Sequence, residues 1–290
     1  MKVVIKKYWR VSILLLFSTI TACVWYGVYC ETPTKYLTVR FLDIGQGDAI
    51  YIESPEHNKL LIDGGPEHSL LPELKKYLPF YTKNIDMFLN TNPDIDHYAG
   101  MLDMFSEYHI GKILEAGTVS DTSTYSQFEK EIKDRNIPKV LAKRGMIIHL
   151  GSGADLHILF PDRDVSDLST NDGSVMAKLT YGSTSVMFAG DAPNKTEEYV
   201  LSLEGTSSIR STILKAGHHG SRTSASSPFI SAVNPQYAVI SAGLKNKYGH
   251  PHKETTELFN SLNIPMLVTF KTGTITARSD GTFFAIKTEK

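Results

Sequence analysis

Cysteine is almost absent from this chain. Its 290 residues include two, Cys23 and Cys30, and both fall within the first thirty. The rest of the chain can therefore form no internal disulfide and offers no thiolate as nucleophile or zinc ligand. Tryptophan is just as scarce, and its two copies, Trp9 and Trp25, lie in the same opening stretch. An excess of one charge is also lacking: 30 Lys and Arg face 31 Asp and Glu, for a formal net charge of -1. That excludes a global basic field for nucleic acid and leaves only a local patch. Charge is missing altogether between Val11 and Cys30, and after residue 35 there is no repeat, low-complexity tract or long linker. What remains, 41% hydrophobic and 21% charged, is enough for one large core or two small ones.

The uncharged run explains itself first. Lys2, Lys6, Lys7 and Arg10 precede it, and Ile13-Leu14-Leu15-Leu16-Phe17 sits inside it. Twenty apolar residues in a helix can cross a bilayer. The flanking positive charges stay on the cytoplasmic side, which sends the rest of the chain out of the cytoplasm. Two versions compete. One is an uncleaved anchor through residues 11–30. The other is a signal peptide ending at Ile20-Thr21-Ala22-Cys23, which resembles a lipoprotein lipobox and would leave a lipoprotein or secreted product. The Val-Trp-Tyr-Gly-Val-Tyr that follows Cys23 is unusually apolar for a mature lipoprotein, so the anchor is favoured. The expected division is a signal or anchor segment at 1–31, a linker at 32–36 around Thr32-Pro33-Thr34, and one domain at 37–290, outside the cytoplasm on the cell membrane.

Within that domain, strands and helices alternate. Leu37–Leu42, Ala49–Ile52, Lys59–Asp63 and Ile85–Leu89 read as strands, and residues 67–78 and 98–108 as helices. Residues 112–115 follow as a strand, 123–136 as a helix, and 139–190 as a β-rich stretch. Helices are expected at 194–203, 226–233 and 252–262, with strands at 211–215, 237–241, 266–270, 273–277 and 283–288. Short strands with helices between them predict one α/β sandwich.

Polar residues recur just after these strands. Asp63 follows Leu60-Leu61-Ile62, and "NTNPDIDH" at 90–97 follows Phe88-Leu89. Asp191 follows Val186–Gly190, and His218 and His219 follow Ile213–Gly217. Strand ends at one sheet edge converge, so their loops can pool ligands. A hydrolytic metal centre needs a few rigid carboxylates and imidazoles with one position left for water. Each piece alone is ordinary: a strand-ending Gly-Asp is usually a turn, and His-His-Gly can be two surface histidines. Asn92, Asp94, Asp96 and His97 within six residues are more than a turn requires. His57, His68, His109, His149 and His157 fit no ligand spacing and read as surface or satisfied core residues.

Seven stretches in order now carry a resemblance: "FLDIGQGDA" (41–49), "LLIDGG" (60–65), "NPDIDHYAG" (92–100), "NDGSVMAKLTYG" (171–182), "MFAGDA" (187–192), "LKAGHHGSRTS" (214–224) and "YGHPH" (248–252). They resemble the successive motifs of the metallo-β-lactamase-like domain of ComEC-type competence proteins, from about residue 37 to the C-terminus. The multi-helix channel of those proteins has no counterpart here. The resemblance implies the metallo-β-lactamase-like αββα sandwich with a metal site at one edge. It places metal ligands at Asp94, Asp96, His97, Asp191 and one or both of His218 and His219, with Asn92 where the family usually has histidine. Asp191 falls on the metal-bridging carboxylate, His250 on a rim histidine, and Asp63, Asp48 and Asn171 on supporting positions. One well-formed site and a second weak or empty one are expected, because Asn92, Asp94 and Asn171 offer no imidazole. One or two divalent ions follow, with the oxygen-rich set favouring Mn²⁺ or Mg²⁺ beside Zn²⁺.

The leading expectation is an exported metal-dependent hydrolase of a phosphodiester, DNA above all, in the manner of a competence protein in DNA uptake. Asp96 or Asp191 would orient the attacking water, with His250 as a further catalytic group. Lys215, Arg222 and Lys247 would contact phosphate, in a rim that also holds Lys245, His252 and Lys253. Two alternatives stand: an impaired domain that binds nucleic acid or a cell-surface polymer without cleaving it, and a hydrolase of another ester or amide. Protein partners are not indicated by the sequence.

Overall fold

We describe the protein from a computed structural model, which covers residues 2–30 and 32–290, with side chains from Tyr8 to Val28 and from Thr32 onward. Met1 and Glu31, at the ends of the expected first segment, lie outside the described residues. The chain forms two compact units that divide between Thr34 and Lys35.

The first unit is one helix, Lys2–Cys30. Its stretch Tyr8–Val28 is long and apolar enough to cross a membrane, and none of it is buried by protein. Apolar side chains on every face are what a lipid-embedded helix needs and a surface helix does not. Cys23 is exposed on it.

The second unit is built on two sheets. The eight-stranded sheet runs, edge to edge, Phe284–Thr288, Ile275–Ser279, Leu37–Phe41, Ile50–Glu53, Lys59–Ile62, Met87–Asn90, Ile113–Glu115 and Lys139–Leu141. The seven-stranded sheet runs Met266–Val268, Tyr237–Ile240, Ile213–Lys215, Thr184–Phe188, Met176–Tyr181, Ala154–Phe160 and Ile147–His149. Alternation decides which face is inside: Leu37, Val39 and Phe41 are buried while Thr38 and Arg40 are half-buried. These inward residues meet Leu156, Ile158, Val186 and Ile213 from the other sheet in a central core. Helices cover both outer faces. Met101, Phe105 and Phe128 pack on Leu61 and Phe88, and Phe229, Ile230 and Phe259 pack on Met187, Leu214 and Ala238. The layers are αββα, as expected.

Parallel pairing positions the site. Lys59–Ile62, Met87–Asn90 and Ile113–Glu115 pair in parallel. So do Thr184–Phe188, Ile213–Lys215, Tyr237–Ile240 and Met266–Val268. Parallel strands end at one edge, so Asp63, residues 91–97, Asp191 and the His218-His219 pair all leave from the same side.

Several expected elements are shorter or broken. The helix expected at 67–78 is confined to Leu70–Leu74. The helix expected at 98–108 becomes Ile95–Tyr98 and Met101–Glu107, because Gly100 sits so close to Gly64 that a Cβ would lie 2.2 Å from the Gly64 carbonyl oxygen. The strand expected at 85–89 divides at Asp86, whose carboxylate accepts from the Lys59 amide. The helix expected at 194–203 runs to Ile209 with a kink at Gly205, and the strand expected at 266–270 stops at Val268.

Candidate metal centre

Four donor atoms from two loops gather around Asp191. Its Oδ2 lies 3.1 Å from His97 Nε2 and 3.6 Å from His219 Nε2. His219 Nε2 is 3.3 Å from Asp96 Oδ2, and His218 Nε2 is 3.7 Å from Asp191 Oδ2. Ligands about 2.1 Å from a tetrahedral ion stand about 3.4 Å apart, the range seen here. His97 Nε2, both ring nitrogens of His219 and Asp191 Oδ1 are buried with no hydrogen-bond partner. Buried polar atoms are normally satisfied, so unpartnered donors at ligand spacing fit a cation. Groups of donors within 4.8 Å of one another are Asp96-His97-His219, Asp48-Asp191-His219 and Asp48-Asp63-His97.

Each imidazole is held from behind. His97 Nδ1 lies 2.9 Å from Asp63 Oδ2, and Asp63 in turn accepts from the Thr91 amide and hydroxyl, both at 2.7 Å. His219 Nδ1 lies 3.3 Å from Asp48 Oδ1. Asp48 Oδ2 accepts from the Lys215 ammonium at 2.7 Å. The carboxylate hydrogen-bonded to His97 sets the tautomer that leaves its Nε2 facing the site, and Asp48 gives the His219 ring a negative neighbour. The backbone is strained to achieve this: Asp63, His218 and His219 have φ of 57°, 47° and 55°, each costing about 1–3 kcal/mol outside glycine.

The loop 45–48 clamps the metal loop. Gly47 has φ 125°, and a Cβ there would sit 2.3 Å from the Asp96 carbonyl oxygen. No other residue fits at that approach. The Asp48 amide donates to the same carbonyl at 3.2 Å. Another anchor is Glu197, which is buried and accepts from the Ala225 and Ser226 amides at 2.8 and 2.7 Å. It fixes the far end of the loop that carries the histidine pair.

Electrostatics follow from the crowding. Burial opposes a charged ring at His97, but Asp191 and Asp63 outweigh it and hold the imidazole well above its ordinary range. Burial likewise opposes charge on His219, yet Asp191 and Asp48 raise it to about 10. Asp191 and Asp48 are driven far below the carboxylate range: burial resists, and His97 and Lys215 respectively overcome it with His219. A field that keeps imidazoles protonated is one that would hold a metal cation. His250 goes the other way, lowered to about 4 by burial and by the neighbouring His219 and His218.

The site opens into a cleft of about 380 Å³ lined by Asp94, Asp96, Asp191, His218, His219 and His250, with Gln46, Ser120, Thr122 and Tyr248 on its walls. The structure thus brings together Asp48, Asp63, Asp96, His97, Asp191 and His219, with His218 and His250 beside them. It corrects other expectations. Lys215 is 1% exposed and bonded to Asp48, so no phosphate can reach it. Asn92 is fully buried; its Nδ2 donates to Ser174 Oγ and its Oδ1 accepts from the Asp94 amide. Its amide forms the loop and does not join the donors. Asp94 belongs to none of the donor groups among the described residues, and burial raises its carboxyl. Asn171 Oδ1 is buried without a hydrogen-bond partner. Arg222 and Lys247 are exposed beyond the cleft, Arg222 3.8 Å from Glu254 and Lys247 over the Tyr248 ring. Sequence reasoning missed Thr91, Ser174 and Glu197. Hydroxyls and a helical glutamate have no motif of their own, and only their neighbours in space give them a role.

Comparison with known proteins agrees with the fold. A model of the metallo-beta-lactamase superfamily matches residues 42–243. ComE operon protein 3 of Bacillus subtilis is 29% identical over 259 residues, covering 83% of this chain and 33% of that protein. Competence protein ComA of Neisseria gonorrhoeae is 25% identical over 247 residues, covering 84% and 32%. The chain spans about a third of the length of these relatives. Among solved structures, CmlA, a diiron beta-hydroxylase from Streptomyces venezuelae, shares the fold at a TM-score of 0.55 and 14% identity, covering 86% of this chain and 55% of that one.

Proposed function

The chain belongs to the metallo-beta-lactamase superfamily, and we propose that it is a metal-dependent phosphodiesterase acting on DNA, held outside the cytoplasm by its N-terminal helix. One observation carries the hydrolase reading: His97, His219, Asp96 and Asp191 converge at ligand spacing in a cleft, with their inner nitrogens unpartnered. The substrate reading is supported by competence-protein relatives and by the exposed Arg222 and Lys247, which in sequence follow the cleft-lining His219 and precede the cleft-lining Tyr248 respectively.

His97, His219, Asp96 and Asp191 would hold the ion, with His218 next to them. A divalent ion there would lower the pKa of a water and polarise a phosphoryl oxygen. Two carboxylates and two imidazoles suit Mn²⁺ or Zn²⁺, and Mg²⁺ less well. Asp63 and Asp48 keep both imidazoles turned toward the site. Asp191 Oδ1, free of hydrogen bonds, would orient the attacking water or take its proton. His250 lines the cleft wall, where it would stand beside a bound substrate, and the exposed cations outside the cleft would meet flanking phosphates.

The test uses the full chain in detergent. Bound metal is counted, then nicking of single- and double-stranded DNA is measured with Mn²⁺, Mg²⁺ and Zn²⁺, beside an Asp96→Ala control. Metal-dependent nicking lost in Asp96→Ala supports the reading. Absence of bound metal at neutral pH ends it. Metal binding with cleavage of a lactam alone ends the nuclease part, and DNA retention without cleavage makes the domain a binding module.

A further inference from the structure

A polar hollow of about 520 Å³ lies at the edge of the sandwich opposite the metal centre. It forms where Met176–Tyr181 ends and where Thr184–Phe188, Ile213–Lys215 and Tyr237–Ile240 begin. The metal loops leave from the other ends of those last strands. Lys178, Arg210, Ser185, Thr212, Asn234 and Gln236 line it, and no carboxylate does. Among the described residues neither Lys178 nor Arg210 has a carboxylate within ion-pair distance. Lys178 is half-buried, and its ammonium donates to the Ser208 carbonyl at 2.7 Å. Arg210 is exposed at the mouth. A half-buried lysine with no counter-ion beside an exposed arginine is set for an anion.

The chain enters the domain at the same edge. The Lys35 carbonyl accepts from the Tyr181 hydroxyl at 3.0 Å, and the Arg278 guanidinium lies 3.6 Å from the Tyr36 ring centroid. The turn at 182–183 is tied to the tip of the last hairpin, where the Ser183 amide donates to the Gly281 carbonyl at 2.7 Å. That tip presents Phe283, 62% exposed. Lys35 and Arg278 are exposed beside it, and Asp280 is the acid among them, its carboxylate taken by the Thr282 amide and hydroxyl.

We propose that this edge docks on an anionic bilayer surface, with a phospholipid phosphate in the Lys178–Arg210 hollow and Phe283 at headgroup depth. The inference rests on reading Tyr8–Val28 as a retained membrane span. A connection of a few residues reaches at most about 3.6 Å per residue, so a membrane-inserted helix would keep the entry edge at Lys35 within reach of the bilayer. Charge complementarity fits the partner: cations on this edge meet lipid phosphates, and an exposed aromatic between cations is the composition of a membrane-interface contact. The metal cleft would then be presented to polymers arriving from outside.

The full chain is reconstituted into nanodiscs of phosphatidylcholine, with or without phosphatidylglycerol, and amide hydrogen exchange is followed at 178–185, 209–213 and 279–284. Docking slows exchange in these segments in anionic discs only, and salt removes the difference. Lys178→Gln and Arg210→Gln each weaken the protection roughly fivefold. Phe283→Ser weakens it without a change of charge, and stands in should either cation variant fail to fold. Equal exchange in both lipids, with the helix retained in the disc, overturns the docking. Protection by inorganic phosphate in detergent but not by anionic lipid also overturns it. Release of the chain from the disc overturns the anchor reading, and the docking with it.

Discussion

The Lys215 ammonium donates to Asp48 Oδ2 at 2.7 Å, and both side chains are closed off from solvent. The other carboxylate oxygen faces His219 Nδ1 at 3.3 Å. A buried lysine therefore supports a candidate ligand through an aspartate. The pair also joins the loop 45–48 to the end of the strand Ile213–Lys215, two segments far apart in sequence.

Removing one member of that pair leaves the other charge buried and alone. Lys215→Met is expected to cost about 3–5 kcal/mol of stability and to weaken metal binding about 10–100-fold. Lys215→Met with Asp48→Leu should recover much of the stability and none of the affinity. Urea unfolding and metal titration of the single and double variants measure the two effects separately.

Asp63→Asn tests the support behind His97. Asparagine tolerates the positive φ of 57° at this position, so the fold should survive. The carboxylate that fixes the His97 tautomer is gone, and metal affinity should drop about 10–100-fold. The Co²⁺ absorption spectrum of the loaded protein should shift. An unchanged affinity would remove Asp63 from any role at the site.

Asn92→His was the natural way to build a second metal position from the sequence. The structure predicts the opposite outcome. Asn92 holds Ser174 Oγ, which also accepts from the Asp191 amide at 3.1 Å, so its side chain ties the metal loop to the Asp191 loop. The substitution should cost about 1–3 kcal/mol and add no metal per chain. Thermal melting and metal counting check both halves.

Glu197 gives a pH dependence. Burial, opposed by the Ser226 and Ala225 amides, raises its carboxyl from 4.5 to about 7. Between those values the unfolded chain has lost the proton and the folded one has kept it. Stability from this group is therefore present below about pH 4.5, falls as pH rises toward 7, and levels off above. The loss is about 3 kcal/mol. In urea unfolding at pH 5 and pH 7.5, Glu197→Gln should show a smaller difference between the two pH values than the unmodified chain. Equal differences would show that Glu197 does not titrate in this window.

Much of the fold was legible in advance. Alternation in Leu37–Phe41, the apolar run before Asp63 and the punctuation by glycine pointed to strands with polar residues at their ends. Breaks came where packing overrides local pattern, as at Gly100, pressed against Gly64. The candidate ligands Asp96, His97 and Asp191 were legible because a metal loop needs those residue types close together in sequence. The burial of Lys215 and Asn92 was not, nor which ring of the histidine pair turns inward. In one dimension a lysine beside His-His reads as a phosphate contact, and an asparagine in a metal loop reads as a weak ligand.

The sequence by itself determined which residue types are available, the strands that carry them, and the uncharged helix at the start. Only the tertiary structure decided their access. Closing two sheets on each other seals Lys215 against Asp48 and turns Asn92 toward Ser174. It drives His219 inward and leaves His218 half-buried, while Lys178 and Arg210 come together at the far edge. Those outcomes depend on which surfaces lose water when distant segments meet, and burial is a property of the whole packed domain that no local run of residues encodes.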